Sequence, residues 1–273
     1  MRILFCGDVV GRSGRKAVTD YVPVLKEKLK LDFVIVNGEN AASGFGITRK
    51  ICDSFTDAGV DIITSGDHVF DQKETINFID KYKKLLRPAN LPQHVNGPGF
   101  GVFDARNGKK ILVINILAQV FMKMVPSCPF ECVKEILERY KLGKDVGAIV
   151  VDFHGEASSE RTAMGHYLDG KVSLVSGSHT HVPTADVRIL EKKTAYQTDA
   201  GMCGDYNSVI GFKKEISIPG FLNKARSEKL VTATGEGTLC GIFVETDDKT
   251  GLAKRTDPVR IGGSLQEFIP EID

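Results

Sequence analysis

The sequence predicts an α/β fold carrying a mixed β-sheet or two stacked sheets. Three observations lead there. Short apolar runs recur along the chain and stop at polar or glycine-rich turns. Stretches of helical spacing follow several of them. The composition is that of an ordinary globular protein, with 42% hydrophobic and 26% charged residues in 273, and its 28 glycines suit a loop-rich α/β protein better than a helical bundle. No repeat, low-complexity tract or linker divides the chain, so residues 1–273 are read as a single domain.

The elements follow in order. Residues 3–6 read as a buried strand that stops at Gly7-Asp8. Residues 17–29 have helical spacing, with Pro23 marking a kink or a helix start. Residues 33–36 form the next strand, ended by Asn37-Gly38-Glu39-Asn40. Residues 48–58 read as a helix capped by Thr48 and stopped by Gly59. Residues 61–64 are a third strand, ended by Ser65-Gly66-Asp67-His68, and residues 74–84 a helix. The prolines between 86 and 99 make that segment a loop. Residues 111–116 and 148–152 are strands around a helix at 130–140, and a helix at 159–167 precedes a strand at 172–176. The character then changes to antiparallel: a hairpin pairs 187–190 with 194–197, and strands are expected at 231–234 and 241–246.

Charge and cysteine usage narrow the function classes. With 36 basic and 35 acidic residues the net charge is +1, which excludes a chain that holds nucleic acid by overall basicity. A long nucleic-acid substrate is disfavoured for the same reason, and Lys81-Tyr82-Lys83-Lys84 reads as a solvated helix face. The apolar run at 111–124 is interrupted by Asn115, Gln119 and Lys123 and falls short of the roughly 20 residues a membrane helix needs. Asp8 comes too early for a secretory signal, and the six cysteines form no Cys-x-x-Cys pair, so a reduced cytoplasmic protein is expected.

The metal-competent residues fall at five strand ends. Asp8 follows the first, Glu39-Asn40 the second, Asp67-His68 the third, His154 the strand at 148–152, and His179-x-His181 the strand at 172–176. Sites in open α/β sheets form at the carboxyl ends of strands, so five segments can converge on one point. Carboxylate, amide oxygen and imidazole suit manganese, iron or zinc. Seven candidates, Asp8, Glu39, Asn40, Asp67, His154, His179 and His181, are too many for one tetrahedral zinc but suit two metals sharing a carboxylate. A metal pair about 3.5–4 Å apart clamps a phosphoryl group and activates a bridging hydroxide, which points to phosphoester hydrolysis. Taken singly, each motif has a duller explanation, since Asp8 or Glu39-Asn40 could simply form turns. His94 and His166 lack comparable company and are assigned to structure or surface. The run Gly7-x-x-x-Gly11-x-x-Gly14 fits no phosphate-binding glycine loop, and no Gly-x-Ser-x-Gly elbow is present. The loop at 43–47 and the segment at 199–206 are expected to wall the pocket, with Phe45 or Tyr206 available to stack on a base.

These residues resemble the calcineurin-like metallophosphoesterase superfamily. Val10 stands where that superfamily's Asp-x-His motif has histidine, and Gly66-Asp67-His68 stands where its pattern has Gly-Asn-His. The set Gly7-Asp8-Val9-Val10-Gly11, Asn37-Gly38-Glu39-Asn40-Ala41-Ala42, Arg87-Pro88-Ala89-Asn90, Asp152-Phe153-His154-Gly155-Glu156-Ala157 and His179-Thr180-His181-Val182 resembles the bacterial YmdB-like phosphodiesterases over essentially the whole chain. The resemblance implies two stacked mixed β-sheets flanked by helices and a dinuclear, iron-containing site, with manganese or zinc as alternatives. It places Asp8, Glu39, Asn40 and His181 on one metal, with Asn40 standing in for the histidine absent at position 10. By the same resemblance Asp67, His154 and His179 would share the other with a bridging Glu39, and His68 would protonate the leaving alkoxide or stabilise the charge on phosphate. The implied activity is hydrolysis of cyclic nucleotides, notably 2′,3′-cyclic ones, with a small-molecule substrate and a homo-oligomeric state expected. Another phosphoesterase, such as a nucleotidase or nuclease, and a metal-binding regulatory protein are the alternatives.

Overall fold

The computed structural model describes residues 1–124, 126–222 and 229–272. The first half alternates strand and helix. In chain order it runs β1 (Arg2–Cys6), β2 (Asp8–Val9), α1 (Gly11–Lys28), β3 (Phe33–Asn37), α2 (Arg49–Asp57), β4 (Ile62–Thr64) and α3 (Thr75–Phe78). Then come β5 (Phe100–Asp104), β6 (Lys110–Leu117), α4 (Pro129–Arg139), β7 (Ala148–His154), α5 (Ser158–Leu168) and β8 (Leu174–Ser178). The last part is β9 (Arg188–Ile189), β10 (Ala195–Gln197), β11 (Met202–Cys203), α6 (Lys214–Leu222), β12 (Leu239–Thr246) and β13 (Ala253–Ile261).

Two mixed sheets form, ordered β13-β12-β1-β3-β4 and β5-β6-β7-β8-β10-β9, and β2 pairs with β11 in a small third one. Strands β1, β3 and β4 run parallel, as do β6, β7, β8 and β10. Antiparallel strands close the edges at β13, β5 and β9, while β4 ends the first sheet parallel to β3. Strands β3, β4, β7 and β8 are buried at every position because both faces of each sheet are covered. Ile3, Phe5, Phe33, Ile35, Ile242 and Val244 of the first sheet meet Ile111, Val113, Ala148, Val150 and Leu174 of the second in one core between the sheets. The other face of the first sheet packs on α1 and α2, through residues such as Val18, Leu25 and Phe55. The other face of the second sheet packs on α4 and α5, through Val133, Ile136, Met164 and Leu168. The two stacked sheets flanked by helices are the arrangement expected.

Four local expectations need correction. Helix α1 begins at Gly11, not at residue 17; its first turns, Gly-Arg-Ser-Gly-Arg-Lys, carry no apolar period, which hid them from the pattern. Pro23 lies inside α1 with its ring exposed, and without an N–H it makes no helical bond to the Thr19 carbonyl. The helix expected at 74–84 is confined to Thr75–Phe78, and beyond it Asp80 accepts from the Gly97 N–H at 2.7 Å and from Asn96 Nδ2 at 2.9 Å. Residues 231–234 form no strand; Thr232 only bridges to Phe212, while β12 takes β13 as its partner. Charged residues and Pro258 hid β13, a half-exposed edge strand, from the apolar pattern. Arg87-Pro88-Ala89-Asn90 is structural: Asn90 exchanges hydrogen bonds with Leu117 N–H and C=O at the end of β6.

Candidate metal centre

The parallel strands of both sheets end on the same side, and the candidate residues stand there. Asp8 belongs to the short β2 immediately after β1. Asn37 ends β3, and its Oδ1 accepts the Glu39 N–H at 3.1 Å, which turns the chain so that Glu39 and Asn40 face inward. Asp67 and His68 follow β4, His154 is the last residue of β7, and His179 follows β8 directly. A Cβ on Gly66 would lie 2.3 Å from both Glu39 Oε2 and His154 Nε2, so only glycine lets Asp67 approach them.

Glu39, Asp67, His154 and His179 each offer a ligand atom within 4.8 Å of the others. His154 Nε2 lies 3.0 Å from Glu39 Oε1, 3.2 Å from Asp67 Oδ1 and 3.1 Å from His179 Nδ1. Behind it, the Ser178 hydroxyl donates to Asp152 Oδ1 at 2.7 Å and accepts from Asn37 Nδ2, so its remaining lone pair takes the His154 Nδ1–H at 2.8 Å. That leaves Nε2 as the atom turned toward the carboxylates. His181 Nε2 stands 3.3 Å from Asn40 Oδ1, and its Nδ1 faces the Ile210 carbonyl at 2.8 Å. Asp8 Oδ2 accepts the His179 N–H at 2.9 Å, and Asp8 Oδ1 lies 3.8 Å from His154 Nδ1. The His68 N–H donates to Glu39 Oε2, while its ring meets Asp71 Oδ2 through Nδ1 at 2.8 Å. All eight predicted residues therefore gather at one place. His94 and His166 are exposed, as assigned.

The backbone pays for this convergence. His179 and His181 have φ of 109° and 64°, conformations that side-chain-bearing residues seldom adopt. The strained turn is held by buried carboxylates: Asp8 takes the His179 N–H, and Asp199 takes the Thr180 N–H and hydroxyl. Asp199 is fixed in turn by the buried Arg161 at 2.6 Å.

The charges call for a cation. Burial pushes the Asp8 carboxyl up to about 8; His154 pulls it down, while Asp199 and Glu39 push it up again. Burial opposes ionisation of Glu39 and Asp67 as well, but neighbouring histidines outweigh it and both sit below the usual carboxylate range. Burial alone would lower His154; Glu39, Asp67 and Asp8 reverse that and hold the ring well above the imidazole range. Burial lowers His181. Asp8 Oδ1 is buried without a hydrogen-bond donor among the described residues, an expensive arrangement unless positive charge compensates it. An oxygen and imidazole donor set with no thiolate fits manganese, iron or zinc.

A cavity of about 600 Å³ opens over these residues, lined also by Phe45, Lys123, Glu156, Ile210, Phe212 and Leu230. Phe45 lines it as expected, but Tyr206 does not. The Tyr206 hydroxyl is tied to Met202 N–H and C=O and to Cys240 Sγ, and Ile210 and Phe212 form the wall instead of residues 199–206. Sequence reasoning also missed Asp71 and Glu156, whose carboxylates face His68 and, at 3.4 Å, His179 Nε2. Their only signal was spacing, three residues after His68 and two after His154.

The model of the family described as YmdB-like protein matches residues 4–259. The 2′,3′-cyclic-nucleotide 2′-phosphodiesterase of Bacillus subtilis is 44% identical over 98% of this chain and 100% of its own length. A crystal structure of a hypothetical protein from Thermus thermophilus superposes with a TM-score of 0.89 at 35% identity, covering 97% of this chain and 100% of that one. A crystal structure titled as a novel phosphatase, from Mycoplasma pneumoniae, gives a TM-score of 0.88 at 36% identity, covering 96% of this chain and 93% of that one. Agreement along nearly the full length, in sequence and in fold, makes this chain a member of the YmdB-like family.

Proposed function

We propose that this chain hydrolyses 2′,3′-cyclic nucleotides at a dinuclear metal centre. The observation that carries the reading is the meeting of Glu39, Asp67, His154 and His179 within 4.8 Å, with His68 beside them. Relatives named phosphodiesterase and phosphatase make the chain a phosphoric ester hydrolase, and the Bacillus relative supports the cyclic substrate. Glu39, Asp67, His154 and His179 would hold one metal; Asp8, Asn40 and His181, with Glu39 bridging, would hold the other. Iron is the metal we favour, with manganese or zinc as alternatives. Bound there, the ions supply Lewis acidity toward the phosphate oxygens and a nucleophile from water.

The protein's own groups do the rest. Asp71 faces His68 Nδ1 and turns Nε2 toward Asp67, 4.0 Å away. In the imidazolium form, with Nδ1–H held by Asp71, His68 carries a second proton on Nε2, which would pass to the departing ribose 2′ oxygen. Lys123, in the cavity lining, adds positive charge toward an anionic substrate. The reading keeps the single domain, the cytoplasmic setting and the homo-oligomer expected from the sequence. The test is hydrolysis of 2′,3′-cyclic AMP after chelation and again after adding manganese or ferrous iron, alongside a phosphomonoester. Turnover that disappears with chelation and returns with metal is expected. No cyclic-ester turnover by folded, metal-loaded protein would overturn the proposal.

A further inference from the structure

The lining of the cavity over the donor residues is of two kinds: Lys123 and Glu156 are charged, while Phe45, Phe212, Ile210 and Leu230 are apolar. Phe45 is the best fixed of the apolar group. Its ring lies 5.4 Å from that of Phe212 at an interplanar angle of 31°, and edge-on to His68 at 5.1 Å. The loop is shaped to hold it there. Gly44 and Gly46 have φ of +96° and +74°, and a Cβ on Gly44 would lie 2.7 Å from Phe212 Cε1. Asn40 Nδ2 donates to the Gly44 carbonyl at 3.0 Å, and Gln72 Nε2 to that of Phe45 at 2.6 Å. The aromatic ring is thereby kept in register with the donor cluster through Asn40. Ile210 shows a second sign of a built surface. Its φ is +47°, which a β-branched residue rarely adopts, its side chain is 48% exposed, and its carbonyl faces His181 Nδ1. Strain and exposed apolar area at one residue beside the site are offset when a flat, apolar-faced group covers it.

We propose that Phe45, backed by Phe212 and flanked by Ile210, is a nucleobase platform that makes the enzyme select base-bearing cyclic phosphates, purines ahead of pyrimidines. The proposal rests on the cyclic-nucleotide reading above and adds the part of the substrate that the reacting groups do not touch. Base–aromatic stacking tolerates any base, because each presents a π-face, and removal of the aromatic ring weakens binding by about 5- to 100-fold. A larger ring system covers more of the platform, hence the purine preference.

The experiment compares kcat/KM for 2′,3′-cyclic AMP, 2′,3′-cyclic UMP and the base-free 1-O-methylribose 2,3-cyclic phosphate. In the wild type the base-bearing esters should be preferred over the base-free one, adenine more than uracil. Phe45→Ala should shrink that preference by about 5- to 100-fold, mostly through KM, and Phe45→Trp should restore it. Phe212→Ala should act in the same direction by a smaller factor. If Phe45 serves only to pack His68, the alanine variant lowers activity on all three esters alike and the ratio stays; that result overturns the platform. A wild type that treats base-free and base-bearing esters equally overturns it too, while leaving the phosphodiesterase reading intact. Failure of the metal-loaded wild type to cleave any of the three removes the phosphodiesterase reading itself and the platform with it.

Discussion

His68 differs from the other histidines of the centre in what holds it. His154 and His181 are buried, and His179, 24% exposed, stands against His154 and Asp67, whereas the His68 side chain is 26% exposed at the cavity and meets Asp71 through Nδ1. A proton donor needs that access to the leaving group. His68→Ala should therefore lower kcat by about 10²–10⁴-fold while metal content stays near that of the wild type. Metal analysis beside steady-state kinetics checks it, and an unchanged kcat removes His68 from the role. Asp8, Glu39, Asp67, His154 and His179 were legible because each follows an apolar run, where strand ends collect functional groups. Asp71 and Glu156 were not, since a carboxylate on a loop looks the same in a sequence whether it faces water or an imidazole. Phe212 was hidden by distance: only folding brings it to Phe45.

Elements with a strong apolar period, such as β1, β3 and β7, were readable from residue type alone, and those fixed by tertiary contacts were not. The hairpin of β9 and β10 was legible, and it shows how side chains fasten an edge. Burial opposes ionisation of Asp186, yet the Thr184 and Thr198 hydroxyls, the Thr198 N–H and Arg188 outweigh it and hold its carboxyl below the ordinary range. A carboxyl lowered on folding stabilises the native state above its unfolded pKa, and that contribution is lost as pH falls through the folded value. Asp186→Asn should then lower the melting temperature at pH 7. The gap to wild type should close as the pH drops below about 4, near the unfolded aspartate pKa. Melting curves at pH 7 and pH 3 test this; a gap that is constant across that range would contradict it. The helix expected at 74–84 ends at Phe78, and just beyond it Asp80 is tied to Gly97 and Asn96, tertiary contacts that residue type does not reveal.

At the scale of the whole molecule, the core between the sheets is what brings their strand ends together. Phe33 is 1% exposed within it and packs toward Phe103 with ring centroids 6.4 Å apart. Phe33→Ala should cost about 3–5 kcal/mol in urea unfolding, with kcat per folded molecule close to wild type, since the donors hang on the strand ends and not on this layer. A loss of kcat without loss of stability would contradict that division. The stacking of two sheets was legible only as one of two options, because residue spacing reveals strands but not their partners. Those partners are remote: Arg2 in β1 pairs across to Glu245 in β12, 243 residues later. Synthesis therefore makes β1 long before β12, the antiparallel strand that pairs along one of its sides. Until β12 emerges, one side of β1 keeps its N–H and C=O groups open, an edge that invites unwanted partners. Completion of the first sheet around β1 accordingly waits for β12.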